Sequence, residues 1–141
     1  MRTRNGQARW DGDLLSGKGR VQFGDGAFDM PYTFKSRFEE GDGTNPEELI
    51  GAAHAGCFSM ALSAALGQAG HKPVYVSTVA KVSLEKVEGG FKIAGVHLDT
   101  EAKVPGIDDK AFQQIAEDAK KNCPVSQALS ALEIMLSAKL S

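Results

Sequence analysis

The chain has 141 residues, 42% of them hydrophobic and 24% charged, the size and balance of one ordinary globular domain. With 16 basic against 18 acidic residues the formal net charge is −2, which gives no electrostatic reason for a nucleic-acid partner. No apolar run approaches the roughly 20 residues that cross a bilayer, and the start Met1-Arg2-Thr3-Arg4 has no apolar stretch behind it to form a secretory signal, so the expectation is a cytoplasmic protein with no membrane attachment.

No internal repeat or long linker divides the sequence, and residues 1–141 are expected to form a single domain. Glycine punctuates the first forty residues, with short β-prone pieces between, Gly19-Arg20-Val21-Gln22-Phe23 and Met30-Pro31-Tyr32-Thr33-Phe34-Lys35. They predict a meander, with Pro31 at a strand start or edge. After the loop Gly41–Thr44, Asn45 suits a helix N-cap, Pro46 its first position and Glu48 a capping box. From Leu49 to Ala69 polar residues are few (His54, Ser59, Ser63, Gln68). A helix apolar nearly all round must be buried nearly all round, so this one should run through the core or into a partner subunit. Gly70 is placed to cap it.

Val74, Val76, Thr78, Ala80, Val82 and Leu84 alternate with the period of a half-buried strand, and Glu88-Gly89-Gly90 predicts a hairpin. The return strand runs from Phe91 to about Lys103, with a bulge suggested at Gly95. Asp108 can cap a helix with Ala111, Ile115 and Ala119 on one face, and a short helical piece follows Cys123-Pro124. Leu132, Ile134, Leu136, Ala138 and Leu140 alternate as a final strand. Strands in blocks argue for an α+β fold with antiparallel pairing.

Two cysteines, Cys57 and Cys123, are too few for a disulfide scaffold or a four-cysteine zinc site but enough for a redox pair. Cys57 is either a core residue or a reactive thiol. Gly51 and Gly56 weaken the helix before it, and a helix restarting near Gly56 would aim free N–H groups at the sulfur and favour the thiolate. Cys123 reads as a helix cap before Pro124 or as a chance loop cysteine, and a bridge spanning 66 residues is a tertiary contact left open by sequence. Glu47 is either a first-turn acid complementing the helix dipole or a site residue, and Arg37 an exposed strand residue or a functional cation. Glu47 precedes Cys57 by ten residues, about 15 Å along an unbroken helix. A role beside Cys57 therefore needs a break near Gly51 to Gly56, or a second chain. His54 shares a helical face with Cys57, but no compact ligand spacing supports a Cys/His metal site, and no metal is expected. His71 and His97 read as solvated positions, Trp10 as core, and the Gly-Asp-Gly runs at 24–26 and 41–43 as turns.

The run Gly43-Thr44-Asn45-Pro46-Glu47-Glu48-Leu49-Ile50-Gly51-Ala52-Ala53-His54-Ala55-Gly56-Cys57-Phe58-Ser59-Met60-Ala61-Leu62 resembles the signature of the osmotically inducible protein C (OsmC) family, relatives of the organic hydroperoxide resistance (Ohr) proteins. Asn122-Cys123-Pro124-Val125-Ser126 resembles the second signature, Arg37 takes the place of the family arginine, and His54-Ala55-Gly56-Cys57 looks like the OsmC branch. The resemblance implies a thiol-dependent peroxidase on an intertwined α+β homodimer, its sheets wrapped around two long central helices and its two active sites at the subunit interface. Carried over residue by residue, it makes Cys57 the peroxidatic cysteine, Cys123 the resolving one, Arg37 the cation stabilising the thiolate, and Glu47 the carboxylate holding Arg37. No cofactor, flavin or haem is implied; the substrate is an organic hydroperoxide and the reductant a dithiol, such as a lipoyl-bearing protein. Phe34, Phe38, Phe58 and Met60 are expected to line a pocket favouring alkyl hydroperoxides. The competing reading is a non-catalytic dimeric small-molecule-binding module with structural cysteines, because a shared fold alone does not establish function.

Overall fold

Glycine turns let three short strands fold back on one another near the N-terminus: β1 (Gly6–Asp11), β2 (Lys18–Phe23) and β3 (Phe28–Tyr32) form an antiparallel sheet in that order. The structure is a computed structural model that describes residues 1–141, and it divides into two compact units, Met1–Leu49 and Ile50–Ser141. In the first, Pro31 lies on β3, an edge strand, where its missing N–H breaks no ladder. Gly19 is required by packing. A Cβ there would stand 2.4 Å from the Tyr32 ring and 2.6 Å from the Trp10 ring.

One short element departs from the expected order. The segment Met30–Lys35, expected to be a strand, ends at Tyr32, and Phe34–Phe38 form a helical turn, α1. Arg37 is therefore helical and not a strand residue. The reason is local: Thr33 and Ser36 make a reciprocal capping box, which outweighs the β propensity of the aromatic residues.

The long helix α2 (Pro46–Gln68) starts where expected, with Asn45 Oδ1 accepting the Glu48 N–H at 2.8 Å, while the Glu48 carboxylate takes the Thr44 hydroxyl at 3.0 Å. It ends in a Schellman motif: His71 N–H reaches the Leu66 carbonyl, Gly70 N–H reaches that of Gly67, and Gly70 has φ +88°. By length and composition α2 is apolar enough to cross a membrane, contrary to the expectation that no apolar run is long enough. Gly51, His54, Phe58, Leu62 and Leu66 form its buried stripe, while Ala52, Ala53, Gly56, Met60 and Ala64 on other faces are exposed. Burial within the chain is thus one-sided, unlike the all-round burial its composition predicts.

In the second unit β4 (Tyr75–Val87) and β5 (Gly90–Lys103) form the hairpin around Glu88-Gly89, and the register shifts after Ser83, leaving Ala94 as the bulged residue beside Gly95. The last strand, β6 (Glu133–Leu140), pairs with β5 in parallel. This corrects the expectation of wholly antiparallel sheets. Helices α3 (Asp109–Asn122) and α4 (Pro124–Ala128) lie between β5 and β6 and supply the long crossover that parallel pairing needs. Asp108 caps α3 through the Ala111 N–H at 2.7 Å. The core joins Phe58, Leu62 and Leu66 of α2 to Val96, Leu98 and Ala102 of β5 and Phe112, Ala116 and Ala119 of α3. Cys123 is part of it.

Candidate active site

The capping box of α1 also positions a cation. Ser36 Oγ accepts the Thr33 N–H and donates to the Thr44 carbonyl at 2.7 Å, and Asn45 Nδ2 donates to the Ser36 carbonyl at 2.9 Å. These bonds tie α1 to the start of α2 and bring Arg37 against Glu47. Arg37 Nη2 donates to Glu47 Oε1 at 2.8 Å, and Nε lies 3.2 and 3.3 Å from the two carboxylate oxygens. The buried carboxylate is thus satisfied by a forked, charge-assisted contact. Bonding through Nε and Nη2 leaves the Nη1 donors for a further acceptor.

The Arg37 guanidinium lies 5.2 Å from the Phe38 ring centroid, and Phe38 packs on Phe34. Trp10, Leu14, Tyr32, Phe34, Arg37 and Phe38 line a cavity of about 420 Å³ in which the arginine is the charged group. Phe34 and Phe38 therefore stand where the expected apolar pocket put them. Phe58 does not, being wholly buried in the core, and Met60 stands 76% exposed on α2.

The two sulfurs form the second pair. Cys57 Sγ and Cys123 Sγ are 3.0 Å apart as free thiols, Cys57 half-buried and Cys123 buried. The helix is continuous through Gly51 and Gly56, so α2 offers no restarted N-terminus to Cys57, contrary to expectation. Gly51 serves close packing instead, since a Cβ there would meet the Ala80 carbonyl oxygen at 3.1 Å. The helix start near the sulfurs is that of α4, with Cys123 at its cap and Pro124 at its first position. Burial and the hydrogen bond with Cys123 push the Cys57 thiol up, against a smaller opposing effect of the Val125 N–H. Burial also acts upward on Cys123, but the hydrogen bond from Cys57 and the Ser126 and Val125 groups outweigh it and hold Cys123 below the ordinary thiol range. Of the two sulfurs, Cys123 is thus the one whose thiolate the surroundings favour.

Sequence reasoning weighed His54 only as a metal ligand. It is fully buried, and its Nε2 lies 2.7 Å from Ser126 Oγ, while Nδ1 has no partner. The available signal was Cys-Pro-Val-Ser, which puts a hydroxyl three residues after a helix cap, the spacing at which side chains turn back to the cap.

The profile of the OsmC-like protein family matches residues 39–137. The chain belongs to the OsmC family. It is 54% identical over 138 residues to Peroxiredoxin OsmC of Escherichia coli K12, covering 97% of this chain and 96% of that one. It is 34% identical over 113 residues to the organic hydroperoxide resistance protein OhrB of Bacillus subtilis, covering 78% and 80%. The crystal structure of Bacillus subtilis OhrB superposes with a TM-score of 0.73 at 25% identity, over 96% of this chain and 98% of that one. The likeness extends to the α+β architecture with two sheets and a long helix.

Proposed function

We propose that this OsmC-family protein is a thiol peroxidase that reduces organic hydroperoxides to alcohols, with Cys57 as the attacking sulfur and Cys123 as the resolving one. The observation that carries the reading is the pair of free thiols 3.0 Å apart, in a chain 54% identical along nearly its whole length to a peroxiredoxin. Cys57 is the more accessible sulfur and Cys123 the buried one, which supports that division of labour.

The chemistry asks for a cation at Cys57. A thiolate is the nucleophile, and within the chain the surroundings of Cys57 favour its thiol form. A guanidinium beside it reverses that preference and stabilises the charge developing on the departing alkoxide. Arg37, oriented by Glu47, is the proposed source, acting across the interface of a homodimer. The unbroken α2 supports this assignment, because it removes the helix break that would bring Glu47 beside Cys57. The exposed apolar face at Ala53, Gly56, Met60 and Ala64 supports the dimer. Attack by the thiolate breaks the O–O bond and leaves a sulfenic acid on Cys57 and an alcohol. Cys123 then displaces hydroxide, giving a disulfide and water. An external dithiol, of the kind carried by lipoyl proteins, restores both thiols. The apolar cavity around Arg37 favours an alkyl substituent on the peroxide.

Turnover of cumene hydroperoxide with dihydrolipoamide as reductant tests the assignment. Wild type is expected to turn over, Cys57→Ser to be inactive, and Cys123→Ser to oxidise Cys57 once and stall. Undiminished turnover in Cys57→Ser contradicts the reading, and equal efficiency with hydrogen peroxide removes the substrate preference.

A further inference from the structure

Resolution poses a proton problem that the two sulfurs cannot solve alone. When Cys57 attacks as a thiolate, Cys123 is left as a thiol with no exposed surface. Its sulfur must lose the thiol proton to become a nucleophile, and burial disfavours its direct loss to bulk water near neutral pH.

The surroundings of Cys123 supply a route. Ser126, itself 4% exposed, stands three residues after Cys123 in the first turn of α4, and its hydroxyl helps to hold that thiol down. The same hydroxyl lies 2.7 Å from His54 Nε2. His54 is fully buried and stands one turn before Cys57 on α2, and its Nδ1 has no partner. An orphaned buried nitrogen costs on the order of 1–3 kcal/mol, and such a group calls for a reason to be there. With the proton on Nδ1, Nε2 has a free lone pair for the Ser126 hydroxyl, one helical turn from the Cys123 cap.

We propose that Ser126 and His54 form a proton relay that deprotonates Cys123 as its sulfur attacks the Cys57 sulfenic acid. This rests on the peroxidase reading. The Cys123 proton passes to Ser126 Oγ as the hydroxyl proton passes to His54 Nε2. The Cys123 sulfur forms the S–S bond as the Cys57 S–O bond breaks, and the departing hydroxide takes up the proton gained by His54, one turn away on α2, so that His54 returns to neutral as water leaves. The sum is Cys57–SOH plus Cys123–SH giving the disulfide and water, with no other reactant. Burial pushes the His54 imidazole below its ordinary value, so it is neutral and able to accept near neutral pH and does not retain the proton. Its shift comes from burial; the titratable thiols of the site are Cys57, one turn on along α2, and Cys123, at the start of α4. The core-facing residues Ala80 and Val82 of β4, Val96 and Leu98 of β5, and Phe112 and Ala116 of α3 are all uncharged.

Single-turnover mixing with one equivalent of cumene hydroperoxide, quenched by alkylation and read by mass, separates sulfenic acid formation from disulfide formation. In Ser126→Ala and His54→Gln, disulfide formation near neutral pH is expected to slow at least tenfold, while peroxide attack proceeds and reports that the site is folded. The deficit should close as pH rises past about 8.5, where a thiol ionises unaided, and Ser126→Thr should restore the neutral rate. Disulfide formation at the wild-type rate in both variants overturns the relay, and so does slowing by the same factor at every pH. A wild type that forms sulfenic acid and disulfide while the variants match it defeats the relay alone. A wild type that forms neither defeats the peroxidase reading beneath it.

Discussion

Cys57 lies 3.0 Å from the Cys123 sulfur, and burial with that hydrogen bond favours its thiol form, although it is the sulfur proposed to attack. The imbalance makes Arg37 the decisive residue of the account. Its forked contact with Glu47 fixes the plane of the guanidinium, and no lysine reproduces that geometry. Arg37→Ala is expected to retain a native circular dichroism spectrum while slowing sulfenic acid formation about 100-fold, the scale of losing one preorganised donor. The sign of the pH effect follows. Burial holds the Cys57 thiol up, so in Arg37→Ala the attack rate should keep rising with pH beyond about 8.5, whereas wild type levels off lower. A level profile at the same low pH in the variant would remove Arg37 from the mechanism. Cys57, Cys123, Arg37 and Glu47 were legible only through their motifs, since 66 residues separate the cysteines and spacing alone could not join them. His54 and Ser126 lie further apart, and nothing periodic in the sequence connects them.

At the level of elements, strong local signals translated directly into structure. Asn45, Gly70, Asp108 and the hairpin at Glu88-Gly89 each mark an element end because each carries its own hydrogen-bonding or backbone requirement. The alternation of β6 revealed which face is buried but not which way the strand runs, because inward and outward residues alternate identically in either direction. Residues Thr33 to Phe38 misled for a different reason: the aromatics favour a strand, and the Thr33–Ser36 box favours a turn of helix. Phe58 anchors α2 at the centre of the core. Phe58→Ala should cost about 3–5 kcal/mol, read as a lower urea midpoint at unchanged slope, and a loss under about 1 kcal/mol would show that the core closes around the gap.

For the whole molecule, composition demanded more burial of α2 than one chain provides. The residues left exposed, Ala53, Gly56, Met60 and Ala64 among them, are apolar and small or flexible, which suits close contact with a second copy. Met60→Glu places a charge on that face, and sedimentation is expected to show monomers where wild type sediments as a dimer. A dimer of undiminished stability would move the interface elsewhere. The claim that two thiols of one chain act in sequence on one peroxide is tested most directly by counting them. After one equivalent of cumene hydroperoxide, wild type should lose both free thiols per chain, while Cys57→Ser keeps its remaining one. Retention of both thiols in wild type, or equally fast oxidation of Cys123 in the variant, would contradict the account.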